Sequence, residues 1–190
     1  MIRELEKYAK ENYVPISRPD AVNYLKETIF KNKYEKILEI GTAIGYTSIL
    51  LALIDKKINI VTIERNGQMY QEAIKNIKKF NLADQIKVIF DDALNVNLDG
   101  DFDLIYIDAA KSQNIKFIEK FSPLLNKNGI IIVDNMLLLD VIKNAKPKKA
   151  QQLIKKTEVF KEYLANNTEF IVEYKDDIGD GFALIKKIDK

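Results

Sequence analysis

Residues 36–47 read KILEIGTAIGYT and join an apolar run to a glycine-containing turn and then to a segment with helical spacing. Lys36–Ile40 has the length and composition of a buried strand. Gly41 and Gly45 bracket the turn, where glycine allows backbone conformations that side chains disfavour. A strand that passes directly into a helix is typical of a parallel sheet covered by helices. This stretch therefore predicts an α/β protein.

The same alternation continues along the chain on both sides of this stretch. Further parallel strands are predicted at Ile58–Glu64, Ile86–Phe90, Phe102–Asp108 and Ile130–Val133. Two later strands, Phe170–Tyr174 and Phe182–Lys187, are separated only by DDIGDG, and so short a link favours an antiparallel pair. We expect a Rossmann-like, doubly wound sheet of seven strands, five parallel plus a closing antiparallel pair, with helices on both faces.

Helical patterns frame this predicted sheet. Met1–Tyr13 and Arg18–Lys31 read as two helices, which makes residues 1–31 a helical cap ahead of the first strand. One later helix is predicted to carry Ile115, Ile118, Phe121 and Leu125 on one face, and another to begin at Pro147. No repeat or flexible linker interrupts the 190 residues, so residues 1–190 are expected to form one domain.

The composition excludes several kinds of site. The chain has no Cys, which rules out disulfides, thiolate nucleophiles and iron–sulfur clusters. It also has no His, which rules out Ser-His-Asp triads and histidine zinc sites. A bound metal would therefore have oxygen ligands, which favours Mg²⁺, Ca²⁺ or Mn²⁺, and a general base must be Asp, Glu, Lys or Tyr.

Charge and hydropathy indicate the setting in which the chain works. Apolar runs such as Ile49–Ile54 are far shorter than the roughly 20 residues of a membrane span, and the amino terminus lacks a secretory pattern, so we expect a cytoplasmic protein with no membrane partner. The net charge is +2, but Lys143–Lys156 carries +6 and no acid. That lysine-rich stretch is either a contact for a polyanion or a solvated helix face.

The turn after the first predicted strand has features of a nucleoside site. Gly41 and Gly45 are four residues apart with Ala43 between them, so the turn does not match the dinucleotide pattern G-x-G-x-x-G. Glu39, just before the turn, would repel a pyrophosphate and suits a cationic ligand. Glu64 ends the second strand, where an acid can accept both ribose hydroxyls. These features fit S-adenosylmethionine, although a tight structural turn would also use the glycines.

A second group of polar residues follows the fourth and fifth predicted strands. Asp108 and Lys111 come after one strand, and Asp134 with Asn135 after the other. Because parallel strands end at the same edge, the three oxygen-bearing side chains can form an incomplete ligand shell for Mg²⁺. Lys111 could then serve a substrate hydroxyl as a base or an electrostatic guide. A simple turn and a surface ion pair are the alternatives.

Three segments, LEIGTAIGYTS, DLIYIDAAK and IIVDN, resemble in order and spacing the class I metal-dependent O-methyltransferases of the catechol and caffeoyl-CoA type. The resemblance runs from about Val14 to the carboxyl terminus. Within that family, YAKENYVPISRP and IGDGFALIKK are most similar to the bacterial tRNA 5-hydroxyuridine methyltransferases. The family commonly has Gly where Asp91 stands, and MLLLDVI after Asn135 departs from its usual sequence.

The resemblance implies a role for each matching residue. The cofactor S-adenosylmethionine would be held by Ser17, Glu39, Gly41, Thr47, Glu64, Asp92, Ala93 and Asp108. Mg²⁺ or Mn²⁺ would be held by Asp108, Asp134 and Asn135, with Lys111 and Asp108 as catalytic residues. A homodimer is also implied.

The resemblance further implies an acceptor, namely the 5-hydroxyl of 5-hydroxyuridine at the wobble position, with the tRNA anticodon loop as partner and 5-methoxyuridine as product. A small catechol or phenol methylated by the same mechanism is an alternative acceptor. A non-catalytic nucleoside- or RNA-binding module is an alternative of a different class. A nicotinamide-dependent dehydrogenase is disfavoured by Glu39 and by the missing glycine pattern.

Overall fold

The computed structural model describes residues 1–137 and 146–188. Two compact units make up the chain, Met1–Leu98 and Asp99–Lys190. The single domain expected over residues 1–190 stays a prediction. Of the predicted lysine-rich stretch, Lys143 lies outside the described residues, whereas Lys146 and the lysines after it are described.

The first unit contains two leading helices followed by alternating strands and helices. Its elements are α1 (Ile2–Glu11), α2 (Pro19–Asn32), β1 (Lys36–Ile40), α3 (Tyr46–Ala52), β2 (Asn59–Glu64), α4 (Gly67–Lys79) and β3 (Ile86–Phe90). The three strands pair in parallel, with Ile40 opposite Ile63 and Glu64 opposite Phe90. Their carboxyl ends therefore lie along one edge of the sheet.

Helix faces with a spacing of three or four residues build the core of this unit. Helix α2 buries Ala21, Val22, Leu25 and Ile29. Helix α4 buries Ala73 and Ile77, and its buried Asn76 donates through Nδ2 to the Ile44 carbonyl at 3.0 Å. Burial of each large aliphatic side chain contributes about 1.5–3 kcal/mol relative to leaving it exposed. The Asn76 bond ties α4 to the turn ahead of α3.

The second unit begins at Asp99 and supplies four strands. Its elements are β4 (Phe102–Ile107), a 3₁₀ turn (Lys111–Gln113), α5 (Asn114–Phe121), a second 3₁₀ turn (Ser122–Leu124), β5 (Leu125–Val133), α6 (Pro147–Asn166), β6 (Phe170–Lys175) and β7 (Phe182–Lys187). Strands β4 and β5 are parallel, whereas β7 is antiparallel to both β5 and β6.

The expected helix position of Leu125 is wrong. Helix α5 ends at Phe121, and Ser122–Leu124 forms a separate 3₁₀ turn that contains Pro123. Proline lacks the N–H that a continuing helix requires. Leu125 instead opens β5 and pairs with Phe102, and the register shifts before Leu104 pairs with Ile130. The fifth strand is therefore longer at its start than the predicted Ile130–Val133.

Among the described residues, the sheet has seven strands in the order β3-β2-β1-β4-β5-β7-β6. The predicted doubly wound sheet with five parallel strands and a closing antiparallel pair is confirmed. Strand β7 lies between β5 and β6, so the last strand in sequence is not the edge strand. Within residues 1–137 and 146–188, no helix combines the length and apolar character needed to cross a bilayer.

Candidate functional site

The turn between β1 and α3 has the unusual backbone that its sequence suggested. Gly41 and Gly45 have φ angles of 104° and 82°, and Ala43 between them has φ 47°. Only glycine adopts such positive φ values without steric cost. The N–H groups of Gly41 and Thr42 donate to the Ile63 carbonyl at 3.0 and 3.3 Å. The turn is therefore fixed to the carboxyl end of β2.

Glu64 holds this turn from the neighbouring strand. Its Oε2 accepts the Ala43 N–H at 2.8 Å, and its Oε1 accepts the Asn66 N–H at 2.7 Å. The structure therefore brings the predicted ribose ligand next to the predicted glycine turn. The Asp91 N–H donates to the Glu64 carbonyl at 3.1 Å, which places Asp92 and the buried Ala93 just beyond the same edge.

Glu39 is a buried carboxylate with hydroxyl partners that sequence reasoning missed. Its side chain is 2% exposed. Thr62 donates to Oε2 at 2.5 Å, and Ser48 donates to the same oxygen. Thr62 shares a second hydroxyl bond, of 2.6 Å, with Thr42 in the turn. The hydrogen bonds through Thr62 connect the Glu39 carboxylate to Thr42 in the turn. The predicted contact of Glu39 with a cofactor stays a prediction.

Ser17 and Thr47 form the remaining contact among the predicted cofactor residues. Their hydroxyl oxygens lie 2.8 Å apart, and both residues are buried. This bond joins the segment between α1 and α2 to the first turn of α3. Next to it, the Tyr46 hydroxyl donates to Glu6 at 3.0 Å. Burial, aided by that bond and the Glu6 charge, raises the pKa of Tyr46 to about 12.

In the second unit, the predicted metal and catalytic residues lie together. Asp108 directly follows β4, and Asp134 directly follows β5. Because the residues before them, Ile107 and Val133, pair with each other, the two carboxylates lie at the ends of neighbouring strands. The Asn135 amide nitrogen donates to Asp108 Oδ1 at 3.2 Å, and Lys111 Nζ lies 3.4 Å from that same oxygen. These contacts bring Asp108, Lys111 and Asn135 together, and the charges of Asp108 and Lys111 act on Asp134; the metal-binding and catalytic roles of the four residues stay predictions. The left-handed φ of 61° at Asn135 turns the chain back toward Asp108.

Asp134 is held by a partner that the sequence did not reveal. The hydroxyl of Tyr106, a residue with 0% exposure, donates to Asp134 Oδ2 at 2.6 Å. The Asn135 N–H donates to Oδ1 at 2.5 Å. Burial first, and then the charge of Asp108, raise the pKa of Asp134 to about 6. A phenol in the buried half of the strand FDLIYI, among Leu104, Ile105 and Ile107, was the available signal for Tyr106.

These residues provide the chemistry that a hard cation requires. Within the described ranges no group of three or more carboxylates that could hold a metal occurs, and the predicted donor set consists of Asp108, Asp134 and Asn135, whose amide nitrogen donates to Asp108. Carboxylate and amide oxygens are suitable ligands for Mg²⁺ or Mn²⁺. A cation would also relieve the repulsion between Asp108 and Asp134 that contributes to the raised pKa of Asp134. The chemistry of these side chains is therefore compatible with such an ion, and the metal site stays a prediction.

Comparison with known proteins identifies relatives over the whole described chain. A family model for O-methyltransferases matches residues 1–188. A catechol O-methyltransferase from Mycobacterium tuberculosis is 32% identical over 106 residues, which cover 54% of this chain and 48% of that protein. The chain thus spans about half the length of this relative.

Solved structures agree with the family match. The structure of a candidate caffeoyl-CoA O-methyltransferase from Staphylococcus aureus superposes with a TM-score of 0.90 and is 36% identical, covering 98% of this chain and 92% of that one. An O-methyltransferase from Bacillus cereus, solved in complex with SAH, has a TM-score of 0.83 and 25% identity over 98% of this chain and 90% of its own.

Proposed function

Because the chain belongs to the O-methyltransferase family, we propose that it transfers the methyl group of S-adenosylmethionine to an acidic hydroxyl on an aromatic ring, with Mg²⁺ or Mn²⁺ as cofactor. The observation that carries the proposal is the cluster of Asp108, Asp134 and Asn135 with Lys111. It combines oxygen donors for a cation with an ammonium group suited to a developing oxyanion.

The methyl donor would bind at the turn between β1 and α3 of the first unit. Glu64 stands at the end of β2, where its carboxylate can accept ribose hydroxyls while it holds the Ala43 N–H. Gly41 leaves the backbone open to the methionine end, and Glu39 contributes a buried negative charge that favours the sulfonium. Ser17 and Thr47 would complete that end, and Asp92 with Ala93 would line the adenine.

On the acceptor side, Asp108, Asp134 and Asn135 would hold the cation, which when bound lowers the pKa of the acceptor hydroxyl. Lys111 has a side chain that is 16% exposed, and its ion pair with Asp108 restrains it. In its ammonium form it would stabilise the negative charge on the acceptor oxygen, whereas only its neutral amine could receive the proton of the hydroxyl. That oxygen attacks the methyl carbon, and the carbon–sulfur bond breaks with its electron pair left on sulfur. Most of the rate enhancement would come from positioning and charge stabilisation.

The acceptor that we favour is a catechol or another small phenol. The name of the mycobacterial relative, catechol O-methyltransferase, supports this choice. 5-Hydroxyuridine at the tRNA wobble position is a second candidate, because its ring hydroxyl is also acidic. The exposed lysines at the start of α6 favour a polyanionic acceptor.

One experiment tests the chemistry and separates the two acceptors. The purified chain is incubated with S-adenosylmethionine, Mg²⁺ and either catechol or tRNA that carries 5-hydroxyuridine, and methylated products are measured by mass spectrometry. Raising the salt concentration should reduce methylation of tRNA steeply and that of catechol little. Methyl transfer to neither acceptor would refute the proposal.

Variants of the donor set test the assignment of residues. Asn135→Ala and Asp134→Ala should lose turnover while their affinity for S-adenosylmethionine, measured by calorimetry, stays close to that of the wild type. Asp99→Ala removes an exposed carboxylate from the same unit and should retain turnover. Equal loss of cofactor affinity in both donor-set variants would contradict the metal assignment.

A further inference from the structure

Helix α6 carries a stripe of exposed cations. We call Lys148, Lys149, Lys155 and Lys156 the lysine stripe, and all four are exposed. At 3.6 residues per turn they fall within about 120° of the helix circumference. Glu158 is the first acidic residue of the helix. Within the part of the chain that the structure describes, none of the four lysines forms an ion pair or a side-chain hydrogen bond.

The position of the lysine stripe is unfavourable for the helix itself. It begins in the first turn of α6, which contains no acidic residue, and the capping residue Lys146 makes no side-chain hydrogen bond. The positive end of the helix dipole favours acidic side chains there, so cations at this end reduce helix stability. Helix stability therefore does not account for the arrangement, whereas a bound polyanion would neutralise it.

The same helix face continues into a groove. Val159, Tyr163 and Asn166 lie within the arc of the lysine stripe on the following turns. Together with Ile115 of α5 they line a groove of about 460 Å³, which Glu162 and Asn167 complete. Val159 is 47% exposed, and Tyr163 is half-buried. One face of α6 thus passes from cations to an open depression that contains an aromatic ring.

We propose that this face of α6 binds single-stranded RNA. The lysine stripe would contact consecutive phosphates, and the groove would accept one unstacked base against Tyr163. Sites for single strands combine these two features, since cations follow the backbone and aromatic rings stack with bases. The carboxylate of Glu162 and the amide of Asn166 supply hydrogen-bonding groups suited to a base edge. A lipid surface would instead require an extended apolar face beside the lysines, and among the described residues of α6 Val159 is the only exposed large hydrophobic one.

This inference deepens the second candidate acceptor and rests on it. Its test measures binding alone, without methyl donor or metal. Fluorescence anisotropy with labelled oligouridine and the full chain should detect binding that weakens with salt. Lys155→Gln/Lys156→Gln should weaken it and reduce the slope of log affinity against log salt by about 1.4, the release expected for two phosphate contacts. Lys10→Gln/Lys31→Gln, which removes two exposed lysines from α1 and α2, should leave the slope unchanged.

The groove is tested with Tyr163. Tyr163→Leu should weaken oligouridine binding about fivefold or more, because the stacked base loses its aromatic partner. Tyr163→Phe keeps the ring and should bind as the wild type does. A labelled sugar–phosphate chain without bases should bind wild type and Tyr163→Leu equally. Circular dichroism of each variant controls for folding.

Three results would overturn the inference: an unchanged affinity in the double lysine variant, equal losses for Tyr163→Leu with and without bases, or displacement of oligouridine by phosphatidylserine vesicles. If oligouridine binds as described but hydroxylated tRNA is not methylated, only the acceptor is wrong. If tRNA is methylated and the α6 variants bind oligouridine normally, only the surface is wrong.

Discussion

Asp134→Asn in the metal-free protein should change how stability depends on pH. The Asp134 carboxyl group is 4% exposed, and its pKa is raised from 3.8 to about 6, first by burial and then by the charge of Asp108. An asparagine has the same shape and does not ionise. The difference in unfolding free energy between variant and wild type therefore isolates the ionisation of this one side chain.

The sign and the size of this difference in unfolding free energy follow from the linkage between proton binding and folding. Between about pH 4 and pH 6 the unfolded carboxyl has lost its proton while the folded one retains it, so wild-type stability falls as the pH rises. A shift of about two pKa units corresponds to about 3 kcal/mol at 1.36 kcal/mol per unit. Asp134→Asn should gain that amount relative to the wild type between pH 4 and pH 7. An amide accepts from only one of the two donors, Tyr106 and the Asn135 N–H, which costs about 1–3 kcal/mol at every pH.

Urea unfolding in the presence of EDTA, repeated from about pH 4 to pH 8, measures this difference. Asp108→Asn is the matched control, because it removes the neighbouring charge but leaves Asp134 buried. Its stability should still fall with pH, by less than that of the wild type. If the curves of wild type and Asp134→Asn stay parallel over the whole range, the reasoning about this carboxyl group is refuted.

Three further variants probe other contacts. Tyr106→Phe removes the donor to Asp134 and should lower Mg²⁺ affinity about 10–100-fold by calorimetry, with cofactor affinity unchanged; an unaltered metal affinity would count against the role of this phenol. Glu64→Ala frees the Ala43 N–H and should weaken S-adenosylmethionine binding before it affects turnover at saturating cofactor, and the reverse order would exclude Glu64 as a cofactor ligand. Gly45→Ala places a side chain at φ 82° and should destabilise the fold by about 1–2 kcal/mol in thermal unfolding, whereas an unchanged transition would show that the turn tolerates a Cβ.

The strands could be predicted from sequence where apolar runs have clear boundaries. Lys36–Ile40, Ile86–Phe90 and Phe182–Lys187 have the predicted ends. The start of β5 could not be predicted in this way, because Leu125 satisfies the helical spacing of α5 as well as a strand. The 3₁₀ turn at Ser122–Leu124 ends the helix and places Leu125 in the strand, where it pairs with Phe102 of β4. This long-range pairing is not visible in the local sequence pattern.

In the candidate site, too, some contacts could be predicted from the sequence and others could not. Asp108 lies close to Asn135 because the two parallel strands before them end at the same edge of the sheet. This contact could be predicted from the order of strands and helices alone. The bond from Tyr106 to Asp134 and the two hydroxyl bonds to Glu39 depend on where individual side chains point across neighbouring strands. Periodicity assigns a residue to a face of a strand but does not select its hydrogen-bond partner.

The bond between Ser17 and Thr47 joins two stretches that are 30 residues apart in sequence. Opening the segment between α1 and α2 requires that this bond break, and so does unravelling the first turn of α3. Thermodynamic reciprocity then applies: a molecule that binds and stabilises the glycine turn also makes displacement of the leading helices less favourable, and displacing those helices weakens its binding. Cofactor binding should therefore protect the amino-terminal stretch against limited proteolysis.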